Sequence, residues 1–206
     1  MQLKIENLDS YPNLLNVDGR VEYVPAVFDI KTSNRLFDSL LNTLDWQPDQ
    51  LFMFGKKIIT QRKVAWVGDE NCSYTYSGVK KNPQPWTEEL LLIKDKIEKL
   101  VSYKFNSCLL NLYHNGNEGM GWHSDDELEL DENAPIVSIS LGAIRKFAFK
   151  NKLHKTTHSI FLENGSALLM YPPTQKFWNH SLLKTKRPVN PRINLTFRLI
   201  KPDHLG

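Results

Sequence analysis

From Phe105 to Ile200 the chain reads as a succession of short strands, and this limits its fold more than any other feature. The runs FNSCLLNLY, IVSISLG, KFAFK, HSIFL, SALLM and RINLTFRLI are separated by turn-rich segments such as HNGNEGMG, ENG and YPPT. The first half differs. In TSNRLFDSLLNTLDW, Leu36, Phe37, Leu40, Leu41 and Leu44 recur at helical spacing behind a Thr32/Ser33 cap. After Pro85, Thr87 caps a second helix whose apolar stripe is Leu90, Ile93, Ile97, Leu100 and Val101. Two helices followed by many short strands predict an α+β fold whose C-terminal half is a sandwich, barrel or jelly roll. With 206 residues, 41% of them hydrophobic, and no repeat or Gly/Ser linker, residues 1–206 form one domain.

Several classes are excluded. No run of 18 apolar residues exists, so no helix is expected to cross a membrane. The opening MQLKIENLDS carries charges where a secretion signal needs an apolar stretch. Cys72 and Cys108 are the only cysteines, too few for a disulfide framework or a four-cysteine zinc site. A reduced cytosol is the expected setting: the cytoplasm of a bacterium, or the nucleus in a eukaryote.

The net charge of +3 conceals a segregation. Between Asn133 and Lys201 twelve Lys or Arg stand against one acid, Glu163, whereas the rest of the chain is acidic. Such a division fits a cationic face for a polyanion, a cationic site for an acidic ligand, or a solvated basic surface.

Two strands have unusual polar faces. Alternation along RINLTFRLI puts Ile193, Leu195, Phe197 and Leu199 on one side and Arg192, Asn194, Thr196 and Arg198 on the other. Along FNSCLLNLY it joins Asn111 and Tyr113 with Leu109. A polar face can simply meet solvent; two arginines on a strand interior can also line a barrel and grip a carboxylate.

His123-Ser124-Asp125 follows a glycine-rich turn, and His180 lies far downstream, just before the arginine-bearing strand. Two imidazoles and one carboxylate on one face of a metal leave three positions open, which is the facial triad of non-haem Fe(II) oxygenases. Zinc takes the same ligands. The order of parts favours iron: H-x-D, a distal His, then a strand with two arginines. A 2-oxoglutarate oxygenase needs metal ligands at the barrel mouth and a cation deeper inside, for the far carboxylate of its co-substrate.

These residues resemble the AlkB family of Fe(II)/2-oxoglutarate nucleic-acid dealkylases, within it most closely the branch that repairs double-stranded DNA. The likeness runs from Phe52 to Lys201 and includes MFGK, YTYSG, PQPW, NLY, HSDDE, SISLGAIRKFAF, His180-Ser181 and PRINLTFR. It implies a double-stranded β-helix (jelly roll) core, about residues 105–200, with flanking helices and an N-terminal nucleotide-recognition lid at about residues 51–80. It also implies that His123, Asp125 and His180 ligate Fe(II), and that Asn111, Tyr113, Arg192, Thr196 and Arg198 hold 2-oxoglutarate, O2 being the second co-substrate.

The lid segment LFMFGKKIITQRK interleaves four cations with Phe52, Met53 and Phe54. This reads either as cations for phosphates with an apolar wedge for the duplex, or as a basic hairpin with buried aromatics. The resemblance implies that Phe54 and Gly55 belong to a finger filling the gap left by an extruded base, and that Lys56 and Arg62 touch the phosphodiester backbone. Tyr74, Thr75 and Tyr76 would flank the base, Tyr76 standing where a family relative has a stacking phenylalanine. Asp126 and Glu127 match residues near the base, where a carboxylate favours the cationic 1-methyladenine or 3-methylcytosine over a normal base. Trp122 departs from that relative at the pocket rim. The function implied is oxidative demethylation of alkylated DNA by one chain acting as a monomer. The alternatives are the same chemistry on RNA or single-stranded DNA, and a non-catalytic metal-binding jelly roll.

Overall fold

The computed structural model describes residues 11–201 other than 54, 55, 71, 73, 77 and 78, and describes the backbone alone at 50–53, 56–58, 74–76 and 79–81. Thirteen strands and three helices are present among these residues. Strands β1 (Arg20–Val24), β2 (Gln47–Met53), β3 (Lys56–Gly68), β6 (Ser107–Tyr113), β8 (Ile136–Gly142), β11 (Ser166–Tyr171) and β13 (Arg192–Arg198) form a sheet in the order β1-β11-β8-β13-β6-β3-β2. A second sheet has the order β10-β9-β12-β7, from β7 (Met120–His123), β9 (Arg145–Asn151), β10 (Thr157–Leu162) and β12 (Trp178–Leu182). β4 (Tyr74–Tyr76) and β5 (Val79–Lys81) pair separately. The pairings within all three sheets are antiparallel.

Helices α1 (Ile30–Thr43) and α2 (Glu88–Val101) cover the outer face of the larger sheet. Leu36, Leu40, Leu90, Ile93 and Ile97 pack there against Leu110, Ile139, Ile193, Leu195 and Phe197, all fully buried. Each such side chain contributes about 1.5–3 kcal/mol by leaving water. A second cluster, including Ile136, Phe147, Phe149, Leu168 and Leu182, fills part of the space between the two sheets. The central strands of the larger sheet are therefore covered on both faces. This explains why β13 is apolar on one side: that side meets the helices. Its polar side faces inward between the sheets, not outward to solvent.

The first helix starts earlier than its apolar spacing predicts. Asp29, not Thr32 or Ser33, is the cap, its carboxylate accepting from the Thr32 N–H at 2.7 Å. Ser33 is buried one turn in, its hydroxyl bonding back to the Asp29 carbonyl. The second helix begins behind Thr87 as expected, with Thr87 Oγ1 accepting from the Leu90 N–H at 3.3 Å.

Strands β1, β7 and β12 do not announce themselves by alternation. MGWH is too short and contains Gly121, and WNHSL sets His180 on the inward face where an apolar residue would signal a strand. β3 ties the segment expected to form a lid to the core: its first half pairs with β2, and Lys63–Gly68 pairs with β6. Two described glycines adopt a positive φ that other residues rarely take, Gly142 at +88 and Gly165. Gly165, at φ +81 in the β10–β11 turn, donates to the Ser140 carbonyl at 2.8 Å and accepts from Val27 and Phe28 ahead of α1.

Candidate metal and co-substrate centre

The ligand set is assembled by strand register. On the inner face of the smaller sheet, His180 of β12 lies directly opposite His123 of β7. Their rings are 4.3 Å apart, centre to centre. Asp125, two residues beyond His123, turns back so that its carboxylate oxygens stand 3.9 Å from His123 Nε2 and 3.8 Å from His180 Nε2. One ligand atom from each of the three residues lies within 4.8 Å of the other two. His123 Nδ1 is 2.8 Å from the Gly121 carbonyl, which leaves Nε2 as the ligating nitrogen. The Phe147 ring stacks on His180 and Phe149 meets it edge-on.

Electrostatics prepare these groups for a cation. Burial is the main cause that lowers His180 to about pKa 4, so its imidazole is neutral at physiological pH. Burial would push the Asp125 carboxyl up, but its surroundings, the Arg198 guanidinium first among them, outweigh that and hold the group below its ordinary value. Arg198 donates directly to Asp125 and lies 3.8 Å from Glu127. Two imidazole nitrogens and a carboxylate on one face match the donor set of a non-haem iron.

Deeper between the sheets lies the second predicted set. Leu109, Asn111 and Tyr113 of β6, and Asn194, Thr196 and Arg198 of β13, line a cavity of about 50 Å³ that also touches His123, Asp125 and His180. Arg192 continues the same face and is 1% exposed, its guanidinium 5.7 Å from the centre of the Tyr113 ring. Its hydrogen bonds go to neutral partners, Ser140 Oγ and Asn194 Oδ1, both at 2.8 Å. Burial lowers Arg192 to about pKa 10. Among the described residues no carboxylate pairs with it, and Asn111 Oδ1, Arg192 Nε and Arg198 Nε are buried without a hydrogen-bond partner. A buried cation with no counter-charge is costly. A dicarboxylate seated here would supply that charge, so the residues fit 2-oxoglutarate.

The predicted metal and co-substrate residues thus meet in one place. Those predicted for the substrate do so only in part. Phe54 and Gly55 lie outside the described residues, as do the side chains of Lys56, Tyr74, Thr75 and Tyr76. Asp126 and Glu127 follow directly on Asp125, near Lys152 and Arg198 respectively. Arg62 does not reach outward to a phosphate. It is buried, forms an ion pair with Asp49, and reaches the Met120 sulfur at 2.8 Å and the Tyr113 hydroxyl. The reason is strand parity and the nearby carboxylate, which together draw the guanidinium inward.

Four further contributions escape the sequence reading. Ser138 and Ser140 support Asn194 and Arg192, and alternation along IVSISLG would have found them. Gln175, in the short helix α3 (Thr174–Phe177), accepts the Asp125 N–H at 3.0 Å. Lys152, just after β9, donates to Ser124 Oγ and to the Gln175 carbonyl, both at 2.9 Å. These last two come from a four-residue helix and a turn, where no periodicity marks them.

Comparison with known proteins agrees with this geometry. The profile of the 2OG-Fe(II) oxygenase superfamily matches residues 20–198, beginning well before the likeness read at Phe52. The "DNA oxidative demethylase ALKBH2" of Mus musculus is 40% identical over 158 residues, covering 73% of this chain and 66% of that protein. The Bos taurus protein of the same name is 39% identical, covering 73% and 57%. The "Alpha-ketoglutarate-dependent dioxygenase alkB homolog 3" of Bos taurus is 34% identical, covering 91% and 68%. The chain therefore spans just under two thirds of the first demethylase and little more than half of the second. The solved structure of OsALKBH1 superposes with a TM-score of 0.63 at 14% identity, covering 90% of this chain and 99% of that one, which is a likeness of fold.

Proposed function

Because the chain belongs to the AlkB family within the 2OG-Fe(II) oxygenase superfamily, we propose that it is a dioxygenase that oxidatively demethylates alkylated bases in DNA. The observation that carries this reading is the juxtaposition of the His123–Asp125–His180 set with a buried, unpaired Arg192 on the adjoining polar face. Iron and 2-oxoglutarate supply the oxidising chemistry, O2 and co-substrate being converted to succinate and CO2 while the N-methyl group is hydroxylated. The resulting hemiaminal releases formaldehyde as the C–N bond breaks, and the nitrogen keeps the electron pair that restores the base.

The protein's own contribution is charge and position. Arg192 neutralises the far carboxylate of the co-substrate at the bottom of the site. Asn111, Tyr113 and Thr196 offer polar atoms along its length, and Asn194 bonds to both Arg192 and Thr196, keeping the two in register. Arg198 stands between this set and Asp125, so one guanidinium serves both halves of the site. The apolar cluster around Phe147 and Phe149 keeps bulk water from the His180 side.

The substrate we propose is double-stranded DNA carrying 1-methyladenine or 3-methylcytosine, acted on by a single chain, since every ligand and co-substrate residue comes from one chain. Extrusion of the base precedes the chemistry. The test is formaldehyde release from defined methylated oligonucleotides, duplex and single-stranded, with and without 2-oxoglutarate. Release that requires 2-oxoglutarate and is abolished in His180→Ala is the expected result; wild-type release by His180→Ala refutes the assignment. Phe54→Ala is expected to depress turnover on duplex far more than on single strands, and equal loss on both argues against the duplex substrate.

A further inference from the structure

The two carboxylates beside the metal ligands are not equally available to a cationic base. Asp126 accepts from Ser124 Oγ at 2.8 Å and lies 3.5 Å from Lys152 Nζ. Lys152 would be only a weak partner if it were held by that pair alone. It is held by neutral groups instead: Nζ donates to Ser124 Oγ and the Gln175 carbonyl, and the Lys152 backbone N–H donates to the Phe177 carbonyl at 2.8 Å. The preceding Asn151 is fully buried and caps the turn by accepting from the Leu153 and His154 N–H groups, both at 2.8 Å. Ser124 Oγ is shared with Asp126, but the Gln175 and Phe177 carbonyls hold the lysine beside Asp126 without involving it. Both groups face a cleft of about 540 Å³ that also borders Asp125 and Arg198, a size typical of small-molecule sites.

We propose that Lys152 is a specificity-determining residue: its fixed charge offsets Asp126 and so weakens the preference for cationic over neutral methylated bases. This rests on the dealkylase reading above. 1-Methyladenine and 3-methylcytosine carry a positive charge, whereas 1-methylguanine and 3-methylthymine are neutral, and all four present an N-methyl group. A carboxylate with its charge uncompensated favours the first pair; a carboxylate with an ammonium beside it favours them less. Lys152 differs in this from Arg198, which is engaged with a metal ligand.

The experiment uses the full chain and single-stranded oligonucleotides bearing each of the four bases. It reads kcat/KM for formaldehyde release and, with the metal-free protein, the oligonucleotide Kd by fluorescence anisotropy. Lys152→Met and Lys152→Gln are each expected to raise the cationic-to-neutral ratio about fivefold in both readouts, the upper range for exposed charge pairs. Gln retains a donor toward Ser124, so a folding defect in one variant does not remove the other. Lys152→Arg is expected to keep the wild-type ratio, and removal of Lys152 is expected to change nothing in an Asp126→Asn background. A role confined to holding the loop lowers turnover on all four bases equally. Turnover with an unchanged ratio in both Met and Gln variants overturns the role of Lys152 alone. Absence of turnover by the wild-type chain on all four bases overturns the dealkylase reading, and this inference with it.

Discussion

Arg145 and Arg192 are both buried guanidinium groups, and their surroundings give them opposite roles. Arg145 donates to the carbonyls of Asn115, Glu118 and Leu183, at 3.1, 2.6 and 2.9 Å, and so ties the turn before β7 to the end of β12. Its bonds are made within the chain. Arg192 has fewer, Ser140 Oγ and Asn194 Oδ1, both bonded through one terminal nitrogen, and it continues the polar face that lines the cavity beside the metal ligands. Arg192→Met is therefore expected to raise the 2-oxoglutarate concentration for half-saturation by roughly tenfold or more, with a smaller change in kcat, because an anchoring charge-assisted pair is lost. Titration of activity against 2-oxoglutarate checks this, and an unchanged requirement would count against the anchor. The alternation of RINLTFRLI revealed Arg192 because side chains on a strand have a period of two. The inward turn of Arg62 was not legible, since it depends on Asp49 across a strand pair that residue order does not specify.

Elements carry their own polar debts, and α2 is the clearest case. Glu98 lies buried in its last turn, where the helix dipole disfavours an acid. Burial pushes the Glu98 carboxyl up, but Lys104 at 2.6 Å, the Phe105 N–H at 3.0 Å and Lys94 at 2.9 Å outweigh it and hold it below its ordinary value. A carboxyl lowered in the folded state stabilises above its unfolded pKa, and that contribution is lost as pH falls through the folded value. Glu98→Gln should then be less stable than wild type by about 1–3 kcal/mol at pH 7. The gap should close progressively below about pH 4.5, as followed by urea denaturation. A gap that persists into strong acid would remove the charge from the explanation. Both helices were legible from their stripes, because i, i+3 and i+4 spacing survives any tertiary context. β7 and β12 were not, because the residues that would have signalled them are occupied by ligation.

At the scale of the whole molecule, the charge asymmetry has been divided by the fold. Of the twelve cations between Asn133 and Lys201, Arg145 and Arg192 are fully buried and Arg198 largely so, which a count along the chain does not distinguish from a basic surface. The metal and co-substrate residues come from both sheets, so binding should stabilise the assembly as one unit. Mn(II), redox-silent here, together with 2-oxoglutarate, each at about a hundred times its dissociation constant, is expected to raise the thermal midpoint by roughly 10–20 °C. His123→Ala should show no metal-dependent rise, and a wild-type midpoint that ignores both ligands would contradict the fit of the site. The position of β13 has a further consequence. It is the last strand among the described residues, yet it lies at the centre of the larger sheet, between β8 and β6. A nascent chain made only as far as Pro191 therefore holds two open strand edges where the sheet should be continuous, and such edges invite pairing with other chains. Synthesis must reach Arg198 before either edge is closed, so the step that completes the sheet is also the step that installs the co-substrate anchor. No partly made chain can be both folded and without its site.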